Sequence, residues 1–191
     1  MSRLVISAVV ALAVCVSTAT ARDMTGEYEL SVAGSFQAHV MKSETFHLFN
    51  VPLRVGYFFN EYVELEAEGI LSVMDEQLSG DDGLSVIGSA LLSVNIPNES
   101  QIMPFALVGY GVTNSHAYAS FQTSPLWSDV TLGVFNLGAG GKFFFGESGA
   151  LRVEYRMQSC VGGPGKNSPK YSEIYDCTSH SLYVGASLFP F

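Results

Sequence analysis

The sequence predicts an all-β protein, an eight-stranded antiparallel up-and-down β-barrel that crosses a lipid bilayer. Three observations predict it. Apolar and polar residues alternate over eight stretches, the period of a strand with one apolar face. Short and long connections between those stretches take turns along the chain. Hydrophobic residues make up 48% and charged residues only 14%, yet past the amino terminus no segment approaches the ~18 apolar residues of a membrane helix. Strands cross a bilayer only as a closed barrel, because lipid offers nothing to an unpaired backbone amide.

The chain opens with Met1, Ser2 and Arg3, then an apolar run from Leu4 to Val16 and the small residues Ala19, Thr20 and Ala21. That layout reads as a secretory signal cleaved after Ala21. Residues 1–21 are therefore expected to be a signal peptide and 22–191 one barrel domain. A lipoprotein signal ending at Cys15 is the rival reading, and Val14 is a poor residue before a lipidated cysteine.

The first strand sets Tyr28, Leu30, Val32, Phe36, Ala38 and Val40 against Glu29, Ser31, Ser35, Gln37 and His39. The second sets Phe49, Val51, Leu53, Val55 and Tyr57 against Asn50, Arg54 and Gly56, with Pro52 expected where pairing is interrupted. After a turn at Asn60 and Glu61, the third places Val63, Leu65, Ala67 and Leu71 outside and Glu64, Glu66 and Glu68 inside. The fourth alternates Leu84, Val86, Ala90, Leu92 and Val94 with Ser85, Ser89, Ser93 and Asn95, a polar face read as entirely small. The fifth, Ile102 to Val112, leaves its facing open because both sides are apolar or glycine.

The sixth strand sets Phe135, Leu137, Ala139 and Phe143 against Asn136, Gly138, Gly140 and Lys142. Inward glycines there let the strand bend or let a side chain approach its backbone. The seventh sets Leu151, Val153, Tyr155 and Met157 against Arg152, Glu154, Arg156 and Gln158. Three charges on the inner face suit a barrel surrounded by lipid rather than a soluble core. The eighth runs from His180 to Phe191.

Short turns near Asn60, Asn98 and Ser148 fall on one side, and longer connections (Met41 to His47, Met74 to Gly83, Thr113 to Asp129, Ser159 to Ser179) on the other. Short turns are expected in the periplasm with both termini, and long loops outside. Tyr28, Tyr57, Phe59, Tyr62, Phe143, Phe145, Phe189 and Phe191 gather at the short-turn end as an interfacial girdle.

Several motifs carry a family likeness: Arg54-Val55-Gly56-Tyr57-Phe58, Met103-Pro104-Phe105-Ala106-Leu107-Val108-Gly109-Tyr110-Gly111, Leu137-Gly138-Ala139-Gly140-Gly141-Lys142, Leu151-Arg152-Val153-Glu154-Tyr155-Arg156 and the terminal Phe191. In these the chain resembles the small outer-membrane barrels of the OmpA, OmpX and opacity type, often grouped as a porin family. The resemblance implies a bacterial outer-membrane address, lipid and lipopolysaccharide as surroundings, and assembly machinery engaging the last strand. Members usually end on a strictly alternating strand; here Pro190 precedes Phe191, and a bulge there would bring the terminal aromatic into phase.

The inward charges are Glu29, Arg54, Glu64, Glu66, Glu68, Lys142, Arg152, Glu154 and Arg156. Near balance of sign in a narrow barrel predicts mutual pairing, since an unpaired buried charge is costly. Counting across the turns puts Arg54 opposite Glu68 and brings Lys142 near Glu154. An ion-conducting lumen is the alternative use of these residues, opposed by the narrowness of eight strands. A soluble calyx would reverse inside and outside.

The exported cysteines Cys160 and Cys177 are expected to form a disulfide. Loop residues Tyr118, Phe121 and Trp127 are the expected contacts for an extracellular ligand or host surface. A net charge of -9 without a basic run argues against nucleic acid, and neither metal-ligand spacing nor a phosphate-binding loop is present, so no cofactor is expected.

A weaker similarity links the chain to lipid A deacylase barrels, whose seventh strand leads into a His-x-Ser pair. Here that stretch reads Tyr155-Arg156-Met157-Gln158-Ser159-Cys160, without the histidine. His180 with Ser159 or Ser181 is a candidate substitute pair, and a serine lacking an adjacent base is a poor nucleophile. The expected role is accordingly non-enzymatic: a structural or surface-binding membrane barrel with a charge-filled interior.

Overall fold

A computed structural model describes residues 23–41, 44–75, 83–97, 99–113, 132–162 and 178–190. Period-two alternation produces eight strands, β1 (Tyr28–Met41), β2 (Glu44–Phe58), β3 (Val63–Asp75), β4 (Gly83–Asn95), β5 (Ile102–Thr113), β6 (Leu132–Phe144), β7 (Gly149–Gly162) and β8 (Thr178–Leu188). Each pairs antiparallel with the next, and β8 returns to β1 through ladder partners from Leu30–Leu188 to Gly34–Val184, closing the barrel. Closure removes the sheet edges that lipid could not satisfy.

Local chemistry sets the short turns. Asn60 Oδ1 accepts from the backbone N–H groups of Tyr62 and Val63, each at 2.9 Å, so the side chain substitutes for a turn carbonyl between β2 and β3. Between β6 and β7, Gly146 takes a φ of +99°, which favours glycine. Pro52 behaves as its missing donor requires: the β1–β2 ladder runs from Tyr28–Tyr57 to Val32–Leu53 and resumes at Ser35–Asn50.

The side chains divide as a membrane barrel demands. Leu30, Val32, Phe36, Phe49, Leu53, Val55, Leu65, Leu71, Leu92, Val108, Leu137, Tyr155, Leu182 and Val184 are all exposed on the outside, while Glu66, Arg152 and Glu154 are buried within. A soluble calyx has the opposite arrangement, so that reading falls. The ambiguous β5 resolves with Met103, Phe105, Leu107 and Thr113 inward and Ile102, Val108, Tyr110 and Val112 outward.

The structure corrects three details. The inner face of β4 is not entirely small, because Ile87 and Leu91 are buried on it alongside Ser93 and Asn95. Serines dominate that face by number, yet parity carries the two large residues inward with them. The long connection expected from Met41 to His47 shrinks to residues 42–43, since Met41 lies opposite Glu44 and the polar Glu44, Thr45 and His47 extend β2. Phe189 leaves the girdle: it is 1% exposed and packs with Met24, Phe58, Met103 and Ala150 inside the short-turn end. β8 ends at Leu188, and Phe189 stays in phase with the inward residues; the bulge expected at Pro190 concerns the phase of Phe191. Phe191 lies outside the described residues, as do residues 1–22.

Candidate functional site

Three layers fill the barrel along its axis. At the short-turn end, Met24, Phe58, Met103, Ala150 and Phe189 form an apolar floor, against which Phe144 packs. Both described ends of the chain help to build it. Gly26 N–H donates to the Phe58 carbonyl at 2.8 Å, which folds the Met24 segment across the opening, and Phe189 N–H donates to the Ser148 carbonyl at 3.0 Å.

Above this floor lie the charges. Arg54 Nε donates to Glu68 Oε2 at 2.6 Å, the neighbour that strand counting indicates. Its Nη1 crosses the lumen to Glu154 Oε2 at 2.8 Å. Arg156 joins the same group, 2.5 Å from Glu68 Oε1 and 2.5 Å from Glu154 Oε1. Arg152 reaches Glu29 at 3.2 Å and both Glu66 and Glu154 at 3.0 Å. Glu154 therefore meets three guanidinium groups.

Lys142 departs from the sequence expectation. Its ladder partner is Arg152, and Gly140 is the residue opposite Glu154. Rather than pair within the hairpin, Lys142 Nζ spans the lumen to Glu29 and, at 2.7 Å, to Glu64. A like-charged neighbour on β7 and two carboxylates on β1 and β3 leave that as the favourable direction.

Aromatic faces complete the shell. Lys142 Nζ lies 4.7 Å from the Phe58 ring centroid, Arg152 Cζ 4.4 Å from that of Phe105, and Arg156 Cζ 5.1 Å from that of Tyr183. Such faces attract cations, more strongly where the cation is buried. Gly140 makes room for the β7 backbone and for one of them: a Cβ there would collide with the Val153 carbonyl oxygen and lie 2.8 Å from Phe105 Cζ and 3.0 Å from Glu154 Cα. The sequence motif showed the inward glycines but not which ring needed the gap.

The third layer, toward the long loops, is neutral. Ile70, Ile87 and Val134 cluster there. Beside them Ser72 Oγ donates to Asn50 Oδ1 at 2.6 Å, Asn50 Nδ2 to Ser35 Oγ at 3.2 Å, and Gln158 Nε2 to Asn136 Oδ1 at 2.9 Å. The ionic layer thus sits between two apolar clusters, a position in which neutralisation matters most.

Outside the spanning strands the two perturbed groups answer to local bonds. Asp23 titrates below its ordinary value because the Thr25 side chain and backbone bond to it, and Tyr62 above its own because of a hydrogen bond to Glu61 and that residue's charge.

The residues suggested for chemistry do not assemble into a nucleophile and base. His180 faces outward, with Nδ1 2.7 Å from the Tyr155 hydroxyl. Ser159 bonds Thr178 at 3.1 Å, and Ser181 is buried on the opposite, inner face of β8. Among the described residues no cluster of His, Cys, Asp or Glu has the arrangement of a metal site. Tyr118, Phe121, Trp127 and Cys177 lie outside the described residues, and of Cys160 only its place on β7 is described.

Fold and surface together define the class: an integral β-barrel of the outer-membrane type, eight strands around a charge-filled interior. No protein-family model matches the chain, and no curated protein does. Among solved structures it is similar to the N-terminal β-barrel domain of OprF from Pseudomonas aeruginosa, at 14% identity and a TM-score of 0.55, over 86% of this chain and 98% of that one. The Yersinia pestis outer membrane protein Ail in a phospholipid nanodisc aligns at 17% identity and a TM-score of 0.49, over 86% of this chain and 99% of that one. OprG of Pseudomonas aeruginosa aligns at 11% identity and a TM-score of 0.42, over 87% and 94%. The first of these carries the fold comparison.

Proposed function

We propose that this chain is a non-enzymatic integral protein of a bacterial outer membrane, contributing to envelope structure or presenting its long loops to the outside. One observation carries the reading: an apolar exterior surrounds a mutually paired ionic core closed by the Phe58–Phe189 floor. Lipid solvates such an exterior and water does not. The interior also argues against a small-solute pore, because the side chains that might line a path are committed to one another. The loops expected from Thr113 to Asp129 and from Ser159 to Ser179, with Tyr118, Phe121, Trp127 and the cysteine pair, are the proposed contact surface for an extracellular ligand. The last strand is the proposed contact for assembly machinery.

Two measurements test this. The detergent-extracted protein is expected to migrate differently on gels before and after heating, and pure protein in planar bilayers is expected to show no stable, uniform conductance steps. A water-soluble fraction that needs no detergent would refute the membrane reading. Regular conductance steps would refute the closed interior.

A further inference from the structure

Among the described residues the lipid-facing surface carries a built polar feature near its outer rim, and we infer that it is a lipid contact: His180, positioned by Tyr155, donates a hydrogen bond to an acyl carbonyl of an outer-leaflet lipid. This rests on the membrane reading above. On β8 the outward residues Leu188, Val184 and Leu182 are exposed and apolar, and the series then changes to His180 and Thr178. On β7 the change comes at the same level, from Met157, the ladder partner of His180, to Ser159, the partner of Thr178. With ~3.4 Å of rise per residue and a strand tilt of ~40°, His180 stands roughly 20 Å beyond Leu188, near the far edge of an apolar band ~25 Å tall.

The imidazole is held in place. Its Nδ1 lies 2.7 Å from the Tyr155 hydroxyl, and the two rings stack 6.0 Å apart at 21°. In the proposed contact the phenol donates to Nδ1, which places the ring proton on Nε2. That N–H needs an acceptor, because at the border of the acyl region an unpaired donor is costly. The adjacent hydroxyls of Ser159 and Thr178 are bonded to each other.

Charge decides the chemistry of the acceptor. Among the described residues, every lysine and arginine (Arg54, Lys142, Arg152 and Arg156) is buried in the interior, so the described part of the outer face offers no cation to hold a phosphate. A neutral carbonyl at the ester level suits a single N–H donor at this depth.

The experiment compares the full chain inserted in bilayers of ester-linked phosphatidylcholine and of its ether-linked analogue, which has the same headgroup but lacks the acyl carbonyl. Nitrogen NMR of the imidazole, with the His180 signal assigned by its loss in His180→Phe, is expected to show the Nε2-protonated tautomer. Exchange of that proton is expected to be roughly fivefold slower in the ester lipid, the factor for a hydrogen bond of net ~1 kcal/mol. Tyr155→Phe is expected to mix the tautomers and remove most of the difference. Equal exchange in both lipids, with the barrel inserted, would overturn the carbonyl contact, and an unchanged tautomer in Tyr155→Phe would overturn the positioning role. Failure to insert in either lipid, read from heat-dependent gel migration, would overturn the membrane reading along with the contact.

Discussion

Arg54 and Glu154, on strands β2 and β7 that share no ladder, meet across the lumen with Nη1 2.8 Å from Oε2. Glu154 also bonds Arg152 and Arg156, so a single carboxylate joins three cations. The contact connects opposite walls of the barrel.

Glu154→Gln leaves those guanidinium groups short of a counter-charge in a buried site, for which a loss of about 3–5 kcal/mol is expected. Arg54→Met should cost less, because Glu154 keeps two partners and Glu68 keeps Arg156. Equilibrium urea unfolding from lipid bilayers measures both. A Glu154→Gln protein as stable as the parent would show that the ionic core does not hold the barrel together.

Glycines on the two faces of the sheet should respond in opposite ways. At Gly140 an added Cβ meets Phe105 and the β7 backbone, so Gly140→Ala is expected to destabilise by about 1–3 kcal/mol. At Gly88 a Cβ meets nothing within 4 Å, so Gly88→Ala is expected to be neutral or to stabilise by about 0.4–1 kcal/mol. The same unfolding assay ranks them, and a reversed order would refute the packing of Phe105 over Gly140.

Charge placed on the outer face should report depth. Val184, midway between Leu188 and His180, is outward and exposed; Val184→Arg is expected to cost about 2–4 kcal/mol. Phe145, in the turn between β6 and β7, is equally exposed but lies at the interface, and Phe145→Arg should cost about 0–1 kcal/mol. Equal costs at both positions would contradict a bilayer around the strands.

Phe189→Ala empties the centre of the apolar floor, where Phe189 packs against Phe58 and Phe144 with ring centroids 6.4 and 5.4 Å away. Truncating a buried phenylalanine typically costs about 3–5 kcal/mol, and a loss in that range is expected in the unfolding assay. A change below about 1 kcal/mol would show that the floor is dispensable, that being the range of a surface substitution.

Alternation by itself determined the strand count, the inside and outside of most strands, the short turns and the buried company of Arg54, Glu66, Arg152 and Glu154. Period two is a local property, and lipid outside with charge inside leaves only one sense in which to apply it. Parity also places Ile87 and Leu91 inside, on the face of β4 where serines are the most numerous residues.

What the tertiary structure decided is everything that depends on two strands distant in sequence. Whether Lys142 meets Glu154 or reaches to Glu29 and Glu64, and whether Arg54 touches Glu154, both follow from how the closed sheet staggers its strands around the axis. Stagger is set by the whole ring of ladders together. No single segment encodes it, so side chains that meet across the lumen become neighbours only once β8 has paired with β1.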